Sequence, residues 1–300
     1  MRIDETAVPE RAPVSAAVVR SLDHVGQLTG LDLVATPLAR LVRAFPLGRF
    51  RDIAHGLPLG HPLHPALVLL PLGSWLSAAA LDTVPGTRRP ARFLVGAGVL
   101  TAAPAAVTGW LDWAELHAEQ RRTGLVHAVA GSAATALYAA SWVERGRGRT
   151  VRAKALGFLG LAAAGAGGMM GGHLAYRQGA GTNKAASVAH LVADRWYPVG
   201  QLEDFPVGRA VRRMAGEVPV LVVREADGRM LALADRCSHL AGPLSDGRIF
   251  AGCVQCPWHA SVFRLTDGAV VRGPATAPQP SFRVTVRPGG EVCVAPSDTV

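Results

Sequence analysis

Charge is scarce in this sequence, and so is any sign of export. Only 18% of the 300 residues are Asp, Glu, Lys or Arg, although the net charge is +9, a combination that is unusual for a soluble protein. The N-terminus is polar and broken by Pro9 and Pro13, where a cleavable signal peptide would have an apolar run. The arginines are spread over several loops with no recognition motif, so nucleic acid does not explain the positive charge.

The apolar residues are concentrated between positions 60 and 180. Four stretches there reach membrane-spanning length almost without charge, which predicts transmembrane helices rather than a soluble helical bundle. We place the spans at about 63–84, 92–112, 124–143 and 154–176, within a four-helix transmembrane domain over residues 55–185. The bilayer is therefore the first expected partner.

Small residues recur every four positions along two of these spans, which lets helices approach closely inside a membrane. This spacing favours a compact bundle that could itself form a homodimer. The residues are Gly98, Ala102 and Ala106 in the second span and Gly160, Ala164, Gly168 and Gly172 in the fourth.

Residues 1–54 form an N-terminal tail ahead of the first span. The stretch from Val34 to Phe45 is periodically apolar, with Arg40 and Arg43 on another face. Such a pattern suits an amphipathic helix lying on an anionic membrane surface, and a loosely ordered tail is the alternative.

The C-terminal third carries the most informative motif. Cys237-Ser-His239 is followed, after sixteen residues, by Cys256-Pro-Trp-His259, so each loop offers one thiolate and one imidazole. Zinc sites usually pair cysteine with cysteine and histidine with histidine. The pattern resembles the Rieske 2Fe–2S family, in which the two thiolates bind one iron and the two imidazoles the other.

The resemblance covers about residues 195–297, after a linker at 186–194. Short β-branched runs separated by Asp-Gly turns predict a small all-β domain there. The fold class is therefore multidomain, with a four-helix transmembrane bundle followed by an all-β Rieske domain. In such domains the loop that begins at Leu240 and the Gly273-Pro274 loop cover the cluster and leave the histidine edge near solvent, where a redox partner docks.

The family's quinol-oxidising members add a cysteine to each cluster loop and join the two by a disulfide, and this sequence lacks both. Cys253 and Cys293 lie elsewhere and are expected to be buried strand thiols. Those members also have hydroxyl donors to the cluster sulfurs at two positions, which here hold Ser261 and Phe263. With one donor of two, the reduction potential is expected between the ferredoxin-like and quinol-oxidising groups, unless Ser261 only satisfies a loop backbone group.

A second resemblance covers about residues 55–185, to a bacterial family of four-helix membrane proteins whose function is unassigned. It rests on His-Pro-x-His-Pro at 61–65, Thr108-Gly-Trp-Leu-Asp112 and Gly171-Gly-His-Leu-Ala-Tyr176. Alternating spans bring four histidines and Asp112 to one membrane face; these histidines are His61, His64, His127 and His173. A b-type haem held by His64 and His127, a quinone or proton site, and a structural role all remain open. The other helical-region histidines, His24, His55 and His117, and His190 of the linker are expected to be surface or loop residues.

These features predict a multi-pass cell-membrane protein that transfers single electrons through a Rieske 2Fe–2S cluster, with an unidentified protein or quinone as redox partner. A ferredoxin component of an oxygenase system and a redox-sensing membrane protein are the alternatives. A complete Rieske oxygenase is disfavoured, because such enzymes need a further iron site in a sizeable catalytic domain. No substrate-transforming site is therefore expected. The missing disulfide favours a cytoplasmic Rieske domain, although basic residues flank the spans on both sides.

Overall fold

The computed structural model describes residues 13–297, so the first twelve residues of the predicted tail lie outside it. A helical region comes first and an all-β domain follows. The chain divides into two compact units. One contains residues up to Val42, Leu72–Leu100 and Leu116–Gly179; the other contains Arg43–Pro71, Thr101–Glu115 and the chain from Ala180 onward.

Eight α-helices lie within the described residues. They are α1 (Pro13–Gln27), α2 (Asp32–Ala44), α3 (Arg49–His55), α4 (Leu63–Asp82), α5 (Arg88–Ala114), α6 (Ala118–Gly146), α7 (Thr150–Gly172) and α8 (Val188–Leu191). A π-helical turn, His173–Arg177, continues α7. Three segments in this part of the chain are long and apolar enough to cross a membrane: Leu63–Asp82, Arg88–Ala114 and Thr150–Arg177. The remaining predicted span, at about 124–143, lies in α6, which is helical but carries charged residues near both ends.

Large apolar side chains cover the outside of the long helices. Those more than 45% exposed include Leu69, Leu76, Phe93, Leu100, Phe158 and Leu159. Exposed apolar surface of this extent is unusual on a soluble domain and suits contact with lipid.

The hairpins α4–α5 and α6–α7 make matched contacts. Trp75 of α4 packs on Gly98 of α5, and Tyr138 of α6 packs on Gly160 of α7 in the same way. The two aromatic residues are 63 positions apart and the two glycines 62. The rings of Trp75 and Tyr138 stack on each other, with centroids 4.3 Å apart and planes 10° from parallel.

The same spacing relates charged residues at the far ends of these helices. Asp82 of α4 and Arg145 of α6 are 63 positions apart and form a buried, two-point ion pair, at 2.8 Å and 2.5 Å. The Nζ of Lys154 donates to the carbonyl of Asp82, and the guanidinium of Arg92, 62 positions earlier than Lys154, lies against Gly146. The region from α4 to α7 therefore repeats the contacts of one helical hairpin at a spacing of 62–63 residues, and we call it the duplicated hairpin.

The first two helices are fixed to this duplicated region by ion pairs. Arg122 of α6 donates to both carboxylate oxygens of Asp32, at 2.9 Å and 2.5 Å, and Arg177 does the same to Asp23. The hydrogen bond from Arg122 lowers the pKa of Asp32 below its ordinary value. Ala35 and Ala39 of α2 are buried. The larger apolar residues of α2 stay exposed, namely Leu33, Val34 and Leu41.

The C-terminal domain consists of two antiparallel sheets. Its strands are β1 (Tyr197–Gln201), β2 (Ala210–Ala215), β3 (Val218–Arg224), β4 (Met230–Ala234), β5 (Arg248–Phe250), β6 (Cys253–Gln255), β7 (Val262–Arg264), β8 (Val270–Arg272), β9 (Ser281–Val286) and β10 (Glu291–Pro296). The order is β1-β10-β9-β4-β3-β2 in the first sheet and β5-β6-β7-β8 in the second.

Strand β3 explains how these sheets pack. Its side chains alternate between faces, as in any strand, and both faces are buried. Val220 and Val222 join a core that also contains Val188 of α8. Leu221 and Val223 join a second core. It contains side chains from the four-stranded sheet and the two motif cysteines, Cys237 and Cys256. The cysteines are thus part of the packing between the sheets.

The close packing of Trp75 on Gly98 predicts that adding a methyl group at position 98 destabilises the fold. A Cβ on Gly98 would lie 2.2 Å from Nε1 of Trp75, whose ring cannot move easily because it is stacked on Tyr138. We expect Gly98→Ala to lower the free energy of unfolding by about 1–3 kcal/mol. Gly165→Ala on α7 is the control, because nothing lies within 4 Å of that position. Thermal unfolding in detergent measures both, and equal melting temperatures would contradict the packing described.

Candidate functional site

The two motif loops close with the same hydrogen bonds. Cys237 follows β4, and its N–H donates to the carbonyl five residues later, at 2.9 Å, while its own carbonyl accepts from Ala241 N–H at 2.8 Å. Cys256 follows β6 and does the same, with Ser261 O at 2.8 Å and Ala260 N–H at 3.1 Å. Both alanines have left-handed backbones, with φ of 64° and 59°. The loops are therefore two copies of one tight turn.

This closure directs backbone N–H groups at each sulfur. The N–H groups of His239 and Leu240 donate to Cys237, and those of Trp258 and His259 donate to Cys256. Such donors favour the thiolate, the form that binds iron. The thiols also meet each other: a hydrogen bond from Cys237 lowers the pKa of Cys256 to about 7, and the same bond together with burial raises that of Cys237. Gly242 leaves room here, because a Cβ would lie 3.0 Å from Cys256 Sγ.

The two motif histidines lie side by side at the rim of the domain. The rings of His239 and His259 have centroids 5.2 Å apart and planes at 89°, and both are half-buried. Trp258 beside them is exposed. Within residues 13–297 no three His, Cys, Asp or Glu side chains are grouped to hold a metal ion. A Rieske cluster needs only two protein ligands on each iron, so a pair of thiols beside a pair of imidazoles fits it.

The three residues predicted around the cluster are buried. Leu240 is 4% exposed, and Ser261 and Phe263 are fully buried. Ser261 Oγ accepts a hydrogen bond from Ala275 N–H at 3.0 Å. The hydroxyl therefore satisfies a backbone group through its oxygen and keeps its hydrogen to donate. Phe263 lies in β7 within the core that holds both cysteines.

Two polar side chains that the sequence analysis did not single out hold the first loop. The Nε2 of Gln279 donates to Ala234 O and Arg236 O, and its Oε1 accepts from Ser238 N–H at 3.0 Å. The carboxylate of Asp235 accepts from the N–H and the hydroxyl of Ser245, at 2.6 Å and 3.0 Å. Both residues are 1% exposed.

Gly268 explains how Gln279 comes so close. A Cβ on Gly268 would lie 1.8 Å from Gln279 O, and its φ is +72°. Only glycine fits a left-handed backbone packed this tightly. The glycine of the Phe263-x-x-x-x-Gly268 motif therefore allows Gln279 to reach the first cysteine loop. We call the three hydrogen bonds of the Gln279 side chain the clamp on this loop.

None of the four cysteines forms a disulfide. Cys293 in β10 is fully buried, as expected. Cys253 in β6 is half-buried, so the expectation of a buried thiol is wrong there. Strand β6 is covered less because it lies next to β5, the edge strand of the small four-stranded sheet. Burial raises the pKa of Cys293.

Two of the predicted membrane histidines make the same kind of contact. His64 Nδ1 lies 2.8 Å from Ala105 O, with Gly109 against the ring, and His127 Nδ1 lies 2.8 Å from Gly167 O, with Gly171 against the ring. His64 and His127 are 63 positions apart, as the hairpin duplication requires.

The other two differ. His61 is exposed, and its Nδ1 lies near the carbonyl of the next residue. His173 is buried, with Nε2 3.5 Å from a carboxylate oxygen of Asp23.

His55 is not the surface or loop residue that the sequence suggested. It ends α3, is 2% exposed, and its Nδ1 lies 2.7 Å from Asp112 Oδ1 at the end of α5. Its Nε2 has no hydrogen-bond partner among the described residues. Nothing in the local sequence marks it, because the partner lies 57 positions later.

Comparison with known proteins agrees with both resemblances. The Rieske [2Fe-2S] domain family matches residues 195–283, and the family described as a predicted membrane protein (DUF2231) matches residues 60–184. The ferredoxin subunit of anthranilate 1,2-dioxygenase from Burkholderia cepacia is 33% identical over 94 residues, which are 31% of this chain and 86% of that protein. The oxygenase component of dicamba O-demethylase from Stenotrophomonas maltophilia is 36% identical over 76 residues, but this chain spans only 21% of its length.

Among solved structures, the ferredoxin of carbazole 1,9a-dioxygenase from Nocardioides aromaticivorans IC177 matches with a TM-score of 0.32 and 29% identity, covering 34% of this chain and 98% of that one. The chain belongs to the Rieske 2Fe–2S family, joined here to a predicted membrane domain. It carries a Rieske-type 2Fe–2S cluster, and the domain that holds it is an electron-transfer domain.

The clamp on the first loop gives a stability prediction. Gln279→Ala would remove the acceptor of Ser238 N–H and the donor to two buried carbonyls, and each buried group left unsatisfied costs about 1–3 kcal/mol. We expect lower stability and a smaller fraction of protein that retains its 2Fe–2S absorption on purification. The control is Gln255→Ala, a half-buried glutamine of β6. Equal cluster retention in the two variants would show that the clamp is dispensable.

Proposed function

We propose that this protein is a membrane-anchored one-electron carrier whose cluster is held by Cys237, His239, Cys256 and His259. The observation that carries the proposal is the repeated loop closure, which aims two N–H groups at each sulfur and pairs the imidazoles at the rim. When bound, the cluster supplies a reversible one-electron change. The thiolates would hold the buried iron and the histidines the outer one.

The residues around the cluster set its reduction potential, which determines the driving force of electron transfer. Backbone N–H groups stabilise negative charge on the sulfurs. The oxygen of the Ser261 hydroxyl accepts from Ala275 N–H, which leaves its hydrogen to donate to a cluster sulfur. Phe263 places an apolar ring where the family's high-potential members have a second hydroxyl. These features support a reduction potential between those of the low-potential and high-potential groups.

A ferredoxin role in an oxygenase system is the second candidate. The similarity to a dioxygenase ferredoxin subunit over 86% of that protein favours it, whereas the chain spans only 21% of an oxygenase component. The half-buried imidazole edge of His239 and His259 would be the contact with the redox partner.

The helical region would anchor the carrier. We propose that α6 is the fourth span beside the three apolar ones, because it is the equivalent of α4 in the duplicated hairpin and its ends alone are charged. Four spans would make the protein multi-pass and leave α3 and the cluster domain on one side, proposed to be cytoplasmic. The exposed apolar residues of α2 support its placement on the membrane surface.

We also propose that the membrane domain relays electrons to or from a haem or a quinone, with its histidines as the candidate haem ligands. His64 and His127 are the first haem candidates, because each has Nδ1 beside a helix carbonyl, an arrangement that orients a metal-binding imidazole. The ion-pair contact of His173 with Asp23 and the exposure of His61 make these two the weaker candidates.

The ligand assignment is tested by exchanging the histidines. His239→Cys or His259→Cys should abolish the Rieske EPR signal with its low average g value, because the imidazoles on one iron produce that asymmetry. His190→Cys is the control, an exposed histidine of α8. An unchanged signal in either ligand variant, or zinc in place of iron in protein purified without oxygen, would overturn the assignment.

The haem relay is tested by optical spectroscopy. Purified protein should show a reduced b-type α-band that is lost in His64→Ala and His127→Ala while the Rieske signal persists, because those substitutions remove the imidazoles that would hold the haem and leave the cluster ligands in place. His61→Ala should retain the band. Iron confined to the cluster even after haem supplementation would make the helical region an anchor alone.

A further inference from the structure

The short helix α3 connects the end of the second span to the cluster domain. Three of its seven residues take part. His55 Nδ1 lies 2.7 Å from Asp112, and Arg51 Nη1 lies 3.8 Å from Glu115, so α3 is tied to the end of α5. On the other side, the carboxylate of Asp52 accepts a hydrogen bond from Gly273 N–H at 3.0 Å. All these residues lie in one compact unit.

The contact continues into the cluster site through a single loop. Gly273 is buried against α3, where a Cβ would lie 3.4 Å from Asp52 Oδ1 and 3.7 Å from the His55 ring. Two residues later, Ala275 is 1% exposed and its N–H donates to Ser261 Oγ at 3.0 Å. Ser261 in turn closes the second cysteine loop, since its carbonyl accepts from Cys256 N–H at 2.8 Å. One end of this loop is therefore fixed by Asp52 and the other holds the hydroxyl.

We propose that α3 is a latch for the cluster domain, in which Asp52 acts as a positioning residue for the cluster. By holding Gly273 N–H, Asp52 places Ala275 and thereby the Ser261 hydroxyl, which donates to a cluster sulfur and stabilises the reduced state. The reduction potential then depends on contact with the membrane-attached helix. This inference rests on the proposed function, because it requires the cluster at the two cysteine loops.

Charge and positioning act in opposite directions at Asp52, which makes them separable. Removing a carboxylate near the cluster disfavours the oxidised state and raises the potential. Releasing the loop weakens the Ser261 hydrogen bond and lowers the potential. Asp52→Asn removes the charge but keeps a carbonyl oxygen to accept from Gly273, whereas Asp52→Ala removes both.

The test is a redox titration of the Rieske EPR signal in the full-length membrane protein. We expect Asp52→Ala to titrate at a lower potential than Asp52→Asn. In a Ser261→Ala background the two should coincide, because no hydroxyl remains to be positioned. Hydrogen exchange of the 270–280 segment should be faster in Asp52→Ala than in Asp52→Asn.

Three results would overturn the latch. They are equal potentials of the two Asp52 variants, an equal difference between them without the Ser261 hydroxyl, and unchanged exchange of the loop. In each, a normal Rieske signal leaves the proposed function standing. Absence of that signal from the unaltered protein would overturn the proposed function and the latch together.

Discussion

The cluster site depends on placing two sulfurs in a packed core without an uncompensated charge. Cys237 and Cys256 are 1% and 3% exposed, and burying an isolated thiolate there would be costly. Two N–H groups at each sulfur offset that cost. Aiming them requires a tight turn, the turn requires a left-handed residue at its fourth position after cysteine, and the first turn is held in place by Gln279. The imidazoles are then left at the rim.

Sequence reasoning located the local parts of this arrangement. Several of the strands, their turns and the cysteine and histidine positions follow from short patterns: β-branched runs, Asp-Gly pairs and the spacing of ligand types. Gln279, Asp235 and His55 could not be found this way. Gln279 binds backbone more than forty positions earlier, and His55 meets a carboxylate 57 positions later. Their importance arises from contacts that only the folded chain creates.

The tandem hairpin shows another limit of sequence reasoning. Two pairs of equivalent residues in the two hairpins contact each other, and identical charged residues in such a pair would repel each other. Asp82 and Arg145 occupy equivalent positions and form an ion pair, and Trp75 and Tyr138 stack. The repeat is therefore visible in the contacts, whereas most equivalent positions hold different residues. Identical residues are confined to His64 with His127 and a few glycine, alanine and leucine positions.

The bond between Asp52 and Gly273 joins positions 221 residues apart. It encloses α4 to α8 in one loop of chain, so its second partner is synthesised only after all the long helices. Closing so long a loop is slow to nucleate but only modestly more costly than closing a shorter one. The cluster domain can therefore close the loop only when the helices between have delivered α3 to the correct place. If the long helices cross the membrane as proposed, a chain whose spans inserted wrongly would lack this contact, which would then depend on correct insertion.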